Sequence, residues 1–310
     1  MLCKEPSYVR LYKEKKLRQH VSDAMSLLAP CRLCPHKCMA DRLSGEKGIC
    51  QTGRYSKVAS YAAHFGEEAP LVGRFGSGTI FFSSCNLFCS FCQNYEISHF
   101  KTGSETKPDE LADIMLKLEK IGCHNINFVT PTHVIPQILE ALLIAAEKGL
   151  AIPLVYNTGG YDSVETLKII ENIFDIYMPD FKFRDSEWAR RYCCASDYPS
   201  RTMEAIEEMY RQVGDLSVDT TGIALRGLIV RHLVLPHGIA GTEEVMKFLA
   251  ERISRSTYVN IMNQYRPCFE ARNDPFLNRR ITEDEYRRAL NAAVSAGLIR
   301  LDSQMRYPAL

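Results

Sequence analysis

Three cysteines fall within eight residues of the chain, Cys85, Cys89 and Cys92 in CNLFCSFC, spaced C-x3-C-x2-C. Soft thiolates this close suit zinc or an iron–sulfur cluster, but a closed tetrahedral site or a full cubane needs four ligands. Three leave one metal position open, which is what a site needs when substrate must coordinate directly. Upstream, Cys31, Cys34, Cys38 and Cys50 form C-x2-C-x3-C-x11-C in CRLCPHKCMADRLSGEKGIC. Four thiolates can complete a closed site, and Gly45 and Gly48 let the chain fold back on itself. Structural zinc and a second iron–sulfur cluster both fit, with His36 as an alternative ligand. The remaining cysteines, Cys3, Cys123, Cys193, Cys194 and Cys268, lack metal-site spacing and read as small buried hydrophobes. Twelve cysteines in 310 residues are well below the ~8–10% density of a disulfide scaffold.

These residues need a frame. The pattern Tyr8, Leu11, Tyr12, Leu17, Val21, Met25, Leu28 predicts a helix near the N-terminus, and SKVASYAAH at 56–64 a strand. Apolar strands then alternate with amphipathic helices: strands at 79–84, 125–130, 152–156, 174–178, 227–235 and 257–262, with helices at 108–121, 134–148, 163–172, 200–213, 242–253 and 282–296. Six strand–helix units imply a parallel sheet, an α/β fold built as a partial barrel or an open sheet. In either, chemistry belongs at the carboxyl ends of the strands. CNLFCSFC follows the first of them. Asn157 and Thr158 end the third, beside Gly159 and Gly160. Arg231 and His232 interrupt the apolar strand GLIVRHLVLP; one should face inward, and because a buried unpaired charge is costly Arg231 is read as a contact to cofactor or substrate, with a structural ion pair as the alternative. Asn260, Asn263, Gln264 and His237 are weaker candidates, and His64, Glu67 and Glu68 read as a polar loop near the barrel mouth.

The segment CNLFCSFCQN resembles the CxxxCxxC signature of radical S-adenosylmethionine enzymes, including an aromatic, Phe91, before the third cysteine. The segments GSGTIFFSSCNLFCSFCQN, YNTGGYDS, DIYMPDFKF, QVGDL, GLIVRHLVLP and CRLCPHKC are similar to proteins related to pyruvate formate-lyase activating enzyme. The resemblance implies a partial (β/α)6 TIM-like barrel at 76–265, between a cysteine-rich extension at 1–75 and a helical one at 266–310. It implies a [4Fe-4S] cluster on Cys85, Cys89 and Cys92, with S-adenosylmethionine chelating the fourth iron and cleaved to a 5′-deoxyadenosyl radical that abstracts hydrogen. Asp180 and Lys182 in PDFK resemble the family's DxK element, whose lysine reaches the cofactor carboxylate. The Gly-Gly-Glu element expected after the second strand is absent, leaving the hydroxyls of Thr130 and Thr132, or backbone carbonyls there, as substitutes for binding the cofactor's amino group. Phe91, Asn157 and Arg231 complete the expected cofactor set. The implied partners are a flavodoxin or ferredoxin as electron donor and a protein substrate such as a glycyl radical enzyme. The leading cysteine segment weakens the direct transfer of glycyl-radical activation.

Composition excludes other classes. Lys plus Arg (38) nearly balances Asp plus Glu (37), so no global field favours nucleic acid or an anionic membrane. The longest apolar stretch, 138–156, is interrupted by Glu140, Glu147, Lys148 and Pro153, and MLCKEPSYVR lacks a signal region, so a cytoplasmic protein is expected. Two rivals remain: an electron-transfer iron–sulfur protein without enzymatic activity, and a zinc-bound interaction module.

Overall fold

The computed structural model describes residues 5–302, so Cys3 lies outside the described residues. Its strands are β1 Ser56–His64, β2 Ser77–Phe82, β3 Ser104–Thr106, β4 Ile126–Val129, β5 Leu154–Thr158, β6 Ile176–Pro179, β7 Ser217–Val218, β8 Ala224–Leu233, β9 Tyr258–Met262 and β10 Arg300–Leu301. The helices are α1 Ser7–Lys13, α2 Leu17–Ser26, α3 Ala69–Val72, α4 Tyr95–Ser98, α5 Pro108–Lys120, α6 Ile135–Glu147, α7 Val164–Ile169, α8 Ser186–Cys193, α9 Tyr198–Val213, α10 Thr242–Phe248 and α11 Glu283–Ala296.

β2, β4, β5, β6, β8 and β9 pair in parallel in that order. Spatial order follows chain order without reversal, so the sheet has no doubly wound switch point and is the partial barrel that six strand–helix units imply. β4, β5 and β6 are buried on both faces apart from Val129, as expected of strands enclosed between helices and an interior. β1 adds antiparallel to β2, and β3 to β1, so the N-terminal segment contributes to the sheet itself.

Alternation along the strands sorts the residues into two layers. One set joins the helices in the main core: Phe128, Tyr156, Tyr177, Leu228 and Val230 pack with residues of α5, α6 and α9. The opposite set forms a separate interior cluster of Leu71, Val155, Ile176, Met178, Leu216, Ala224 and Ile229, with α3 contributing Leu71. One step further along the same face, Val155 gives way to Asn157, Met178 to Asp180 and Ile229 to Arg231. An apolar interior thus opens into a polar mouth at the carboxyl ends.

The N-terminal helix pattern resolves into two helices, because Lys15 takes a left-handed φ of 60° between α1 and α2. Both pack on α6, and Ser7 anchors α1 by donating from its backbone N and Oγ to Asp175 at 3.0 and 2.8 Å. This double cover explains why α6 is buried almost all round. The third strand begins two residues later than its apolar run, since Pro153 has no N–H to give the ladder. The helix expected to 253 is α-helical only to Phe248 and closes in a π turn over Leu249–Ile253. α11 begins where Thr282 and Glu285 form a reciprocal capping box. No helix among the described residues is long and apolar enough to cross a membrane.

Candidate active site

The CNLFCSFC loop leaves β2 directly. Ser84, at φ 74°, turns the chain and donates its N–H to the Ile97 carbonyl at 2.8 Å. Within the loop the Leu87 N–H donates to Cys85 Sγ at 3.2 Å, and the Asn94 N–H and the Ser98 hydroxyl, the latter at 3.3 Å, donate to Cys92 Sγ. Amide donors two residues beyond a cysteine stabilise its thiolate form. Burial raises the pKa of Cys85 and of Cys92, and the Lys182 ammonium works against it at both. Cys89 is lowered instead, first by its contact with Cys193, whose Sγ lies 3.3 Å away. Three thiols with N–H donors and a nearby cation fit a thiolate-held cluster with one open position. Among the described residues no three ligating side chains converge on one point.

The strand-end residues meet in one charged network. Asp180 and Arg231 face each other across a bridge between neighbouring strands, and Arg231 pairs in register with Asn260. Arg231 Nε donates to Asp180 at 2.7 Å, its Nη2 to Asn157 Oδ1 at 2.7 Å, and its Nη1 lies 3.6 Å from Glu67. Lys182 Nζ donates to the other Asp180 oxygen. Burial tends to raise Asp180, but Arg231 and Lys182 hold it below the usual carboxylate range. Burial tends to lower Lys182, and Asp180 with Cys89 more than reverses this, so the lysine stays charged. Gly160 makes this packing possible: a Cβ there would sit 2.2 Å from the Asp180 carbonyl oxygen, at a backbone φ of +87°. Asp180, Lys182, Asn157 and Arg231 are therefore brought together, with Lys182 reaching toward the thiols.

Glu67 and Glu68 are the residues that sequence undervalued. They are buried at the mouth, Glu67 against Arg231 and Glu68 accepting from Asn260 at 2.8 Å. Burial foremost, with Glu68 and Asp180 adding to it, lifts Glu67 to about 7 against the pull of Arg231. Neither glutamate carried a sequence signal beyond lying before the first barrel strand. Cys193 was equally hidden, 104 residues from its partner Cys89.

Other expected residues are occupied elsewhere. Thr132 donates to Asp162 at 2.7 Å in a buried cluster with Tyr156 and Thr158. Thr130 holds a φ of 59° at the turn after β4. Phe91 packs edge-on against Phe183 and Tyr265. His237 lies beside Arg279 and Phe276, with its N–H on Glu285.

In the upstream cysteine loop, the Leu33 N–H donates to Cys31 Sγ and the His36 N–H to Cys34 Sγ, repeating the pattern at Cys85 and Cys92. Burial lifts Cys34 to about 12, and Cys50, Cys31 and Cys38 lie near enough to add to that shift. At Gly48 a Cβ would fall 2.1 Å from Cys38 Sγ, so the glycine admits the sulfur. The His36 ring reaches the other cysteine loop, its Nε2 2.8 Å from the Asn86 carbonyl next to Cys85.

The model of the radical SAM superfamily matches residues 79–224. An uncharacterized protein of Methanocaldococcus jannaschii is 32% identical over 291 residues, covering 91% of this chain and 79% of that protein. Among solved structures, Streptococcus suis SuiB bound to S-adenosylmethionine aligns with a TM-score of 0.48 at 13% identity, over 71% of this chain and 47% of that one. Native anSMEcpe with bound AdoMet and Cp18Cys peptide aligns with a TM-score of 0.49 at 12% identity, over 71% and 60%. The chain spans about half the length of these two solved proteins.

Proposed function

This chain belongs to the radical SAM superfamily, and from that membership we propose that it is an enzyme that cleaves S-adenosylmethionine reductively to abstract hydrogen from a substrate, in the manner of pyruvate formate-lyase activating enzyme. The observation that carries the reading is the meeting of a three-thiol loop at the end of the first parallel strand with the Lys182 ammonium from the end of the fourth. Cys85, Cys89 and Cys92 would hold a [4Fe-4S] cluster, which when bound with S-adenosylmethionine supplies the electron and the open iron for forming a 5′-deoxyadenosyl radical.

This chain's own residues do the positioning. Lys182, kept charged by Asp180, offers its ammonium to the cofactor carboxylate. Asp180 holds Lys182 and Arg231 at once, and Asn157 with Glu67 fixes the far side of Arg231. Arg231 therefore acts by holding Asp180 and the mouth in place. The fully buried interior beneath, with Val155, Ile176, Met178 and Ile229, keeps water from entering from below. A flavodoxin or ferredoxin is proposed as electron donor, a glycine of a partner protein as one candidate substrate, and the upstream cysteine quartet as a zinc or second iron–sulfur site.

The test separates an enzyme from an electron carrier. Anaerobically reconstituted, reduced protein should change its electron paramagnetic resonance spectrum when S-adenosylmethionine is added, and C85A/C89A/C92A should not. A reduced cluster indifferent to the cofactor would point to the carrier.

A further inference from the structure

Arg42 is 1% exposed and its guanidinium, charged at any physiological pH, forms no ion pair with a carboxylate among the described residues. Its Nε and Nη2 donate to the Gly53 carbonyl at 3.2 and 3.0 Å, and its Nη1 to the His133 carbonyl at 2.9 Å. The same Nη1 lies 4.0 Å from Cys31 Sγ. The contrast with other partly buried cations is sharp. Arg54, Arg226, Arg231 and Lys182 each reach a carboxylate. Carbonyls can satisfy hydrogen bonds but carry no charge, and a buried charge without a counter-charge is among the costliest arrangements in a protein.

The candidate counter-charge is the cysteine quartet beside it. Neutral thiols supply none. Metal binding displaces the thiol protons, and four thiolates on Zn²⁺, or on a [4Fe-4S] core of charge +2, leave a centre of net charge −2. We propose that Cys31, Cys34, Cys38 and Cys50 hold a four-thiolate metal centre whose negative charge is the missing partner of Arg42, and that this pairing fastens the N-terminal loop to the radical site. This rests on the reading of the quartet as a metal site.

The fastening has two arms. Arg42 grips the His133 carbonyl, and His133 Nε2 lies 3.0 Å from the Ser83 carbonyl, two residues before Cys85. His36, between Cys34 and Cys38, meets the Asn86 carbonyl one residue after Cys85. Asn86 in turn donates to the Tyr161 carbonyl at 2.7 Å, and the Tyr161 ring meets His36 edge-on. Metal at the quartet and order in the CNLFCSFC loop are thus connected through adjacent hydrogen bonds.

The test uses the full chain carrying C85A/C89A/C92A, so that the quartet is the remaining cysteine cluster, and titrates zinc against a competing chelator. Arg42→Met is expected to weaken zinc binding at least tenfold while Arg42→Lys keeps most of the affinity. Thermal unfolding should show the linked effect: Arg42→Met melts lower than its parent when zinc is bound, and no lower when the metal is removed. If Arg42→Met does not fold, Arg42→Gln, which keeps amide donors but loses the charge, should show the same tenfold loss. Equal zinc affinity with and without the charge overturns the inference. A separate control, C31A/C34A/C38A/C50A in the same background, tests the underlying reading: zinc content equal to its parent would show that the quartet is not a metal site. Labile sulfide after iron reconstitution distinguishes the two occupants, both of which carry the required charge.

Discussion

Asp180 and Lys182 are adjacent in one ion pair, yet their replacement should have opposite balances of stability and function. Asp180 accepts from two cations, Arg231 at 2.7 Å and Lys182, whose side chains are each only 18% exposed. Asp180→Ala takes a partner from each. Arg231 retains Asn157 and a longer contact to Glu67, whereas Lys182 has no other ion pair among the described residues. Removing one member of a buried pair costs about 3–5 kcal/mol, and that is the expected loss in urea unfolding. Lys182→Met leaves Asp180 its stronger partner, so it should cost only the net value of one charged hydrogen bond, about 1.5 kcal/mol. Its effect on S-adenosylmethionine should be larger. Loss of a charge-assisted bond worth about 1.5–3 kcal/mol weakens binding roughly tenfold to a hundredfold, measurable by anaerobic equilibrium dialysis of the reconstituted protein. Lys182→Met with unchanged cofactor affinity, or with a stability loss equal to that of Asp180→Ala, would refute the division between a holding carboxylate and a binding ammonium.

Three further outcomes follow from the mouth of the barrel. Glu67 titrates near 7 in the folded chain against an ordinary glutamate value near 4.5, so the folded state binds the proton more tightly and stability falls as pH rises from about 4.5 to 7. Glu67→Gln should abolish up to about 3 kcal/mol of that decline, and identical stability–pH profiles for the two proteins would contradict the buried assignment. Cys193 lies 3.3 Å from Cys89 Sγ, and donors to cluster sulfurs raise reduction potential. Cys193→Ala should lower it by an amount approaching a tenfold change in the reduced-to-oxidised ratio, about 59 mV, and Cys193→Ser should restore most of it; a redox titration showing no change in Cys193→Ala would dismiss the contact. Gly160→Ala places a Cβ 2.2 Å from the Asp180 carbonyl at φ +87°, so it should cost about 1–3 kcal/mol and weaken cofactor binding as well, and unaltered binding would show that Lys182 does not depend on this packing.

Much of this was legible because periodicity reports burial. The six strands and their helices appear in the expected order, and β1 coincides with SKVASYAAH, since each apolar run is buried by the elements beside it. Boundaries moved where backbone chemistry overrode apolar pattern, at Pro153 and at Lys15. The cysteine loops were legible from spacing, being local. The contacts that complete the site are not local: Glu67 with Arg231, Cys89 with Cys193 and Arg42 with His133 join segments that only the fold brings together. Arg231 shows the difference well. Its place in an apolar strand marked it as unusual, but only the geometry shows that Asp180, Asn157 and Glu67 already engage it. Thr132 likewise has the right position after β4, while its hydroxyl is turned to Asp162.

Reductive cleavage of S-adenosylmethionine, as proposed, depends on the thiols of Cys85, Cys89 and Cys92. The most direct measurement is 5′-deoxyadenosine by mass spectrometry after anaerobic reconstitution with iron and sulfide and reduction with dithionite. Deoxyadenosine should form with the native chain and vanish in C85A/C89A/C92A, while C31A/C34A/C38A/C50A still holds iron at the first site. Equal deoxyadenosine from the triple variant and the native chain would contradict the account.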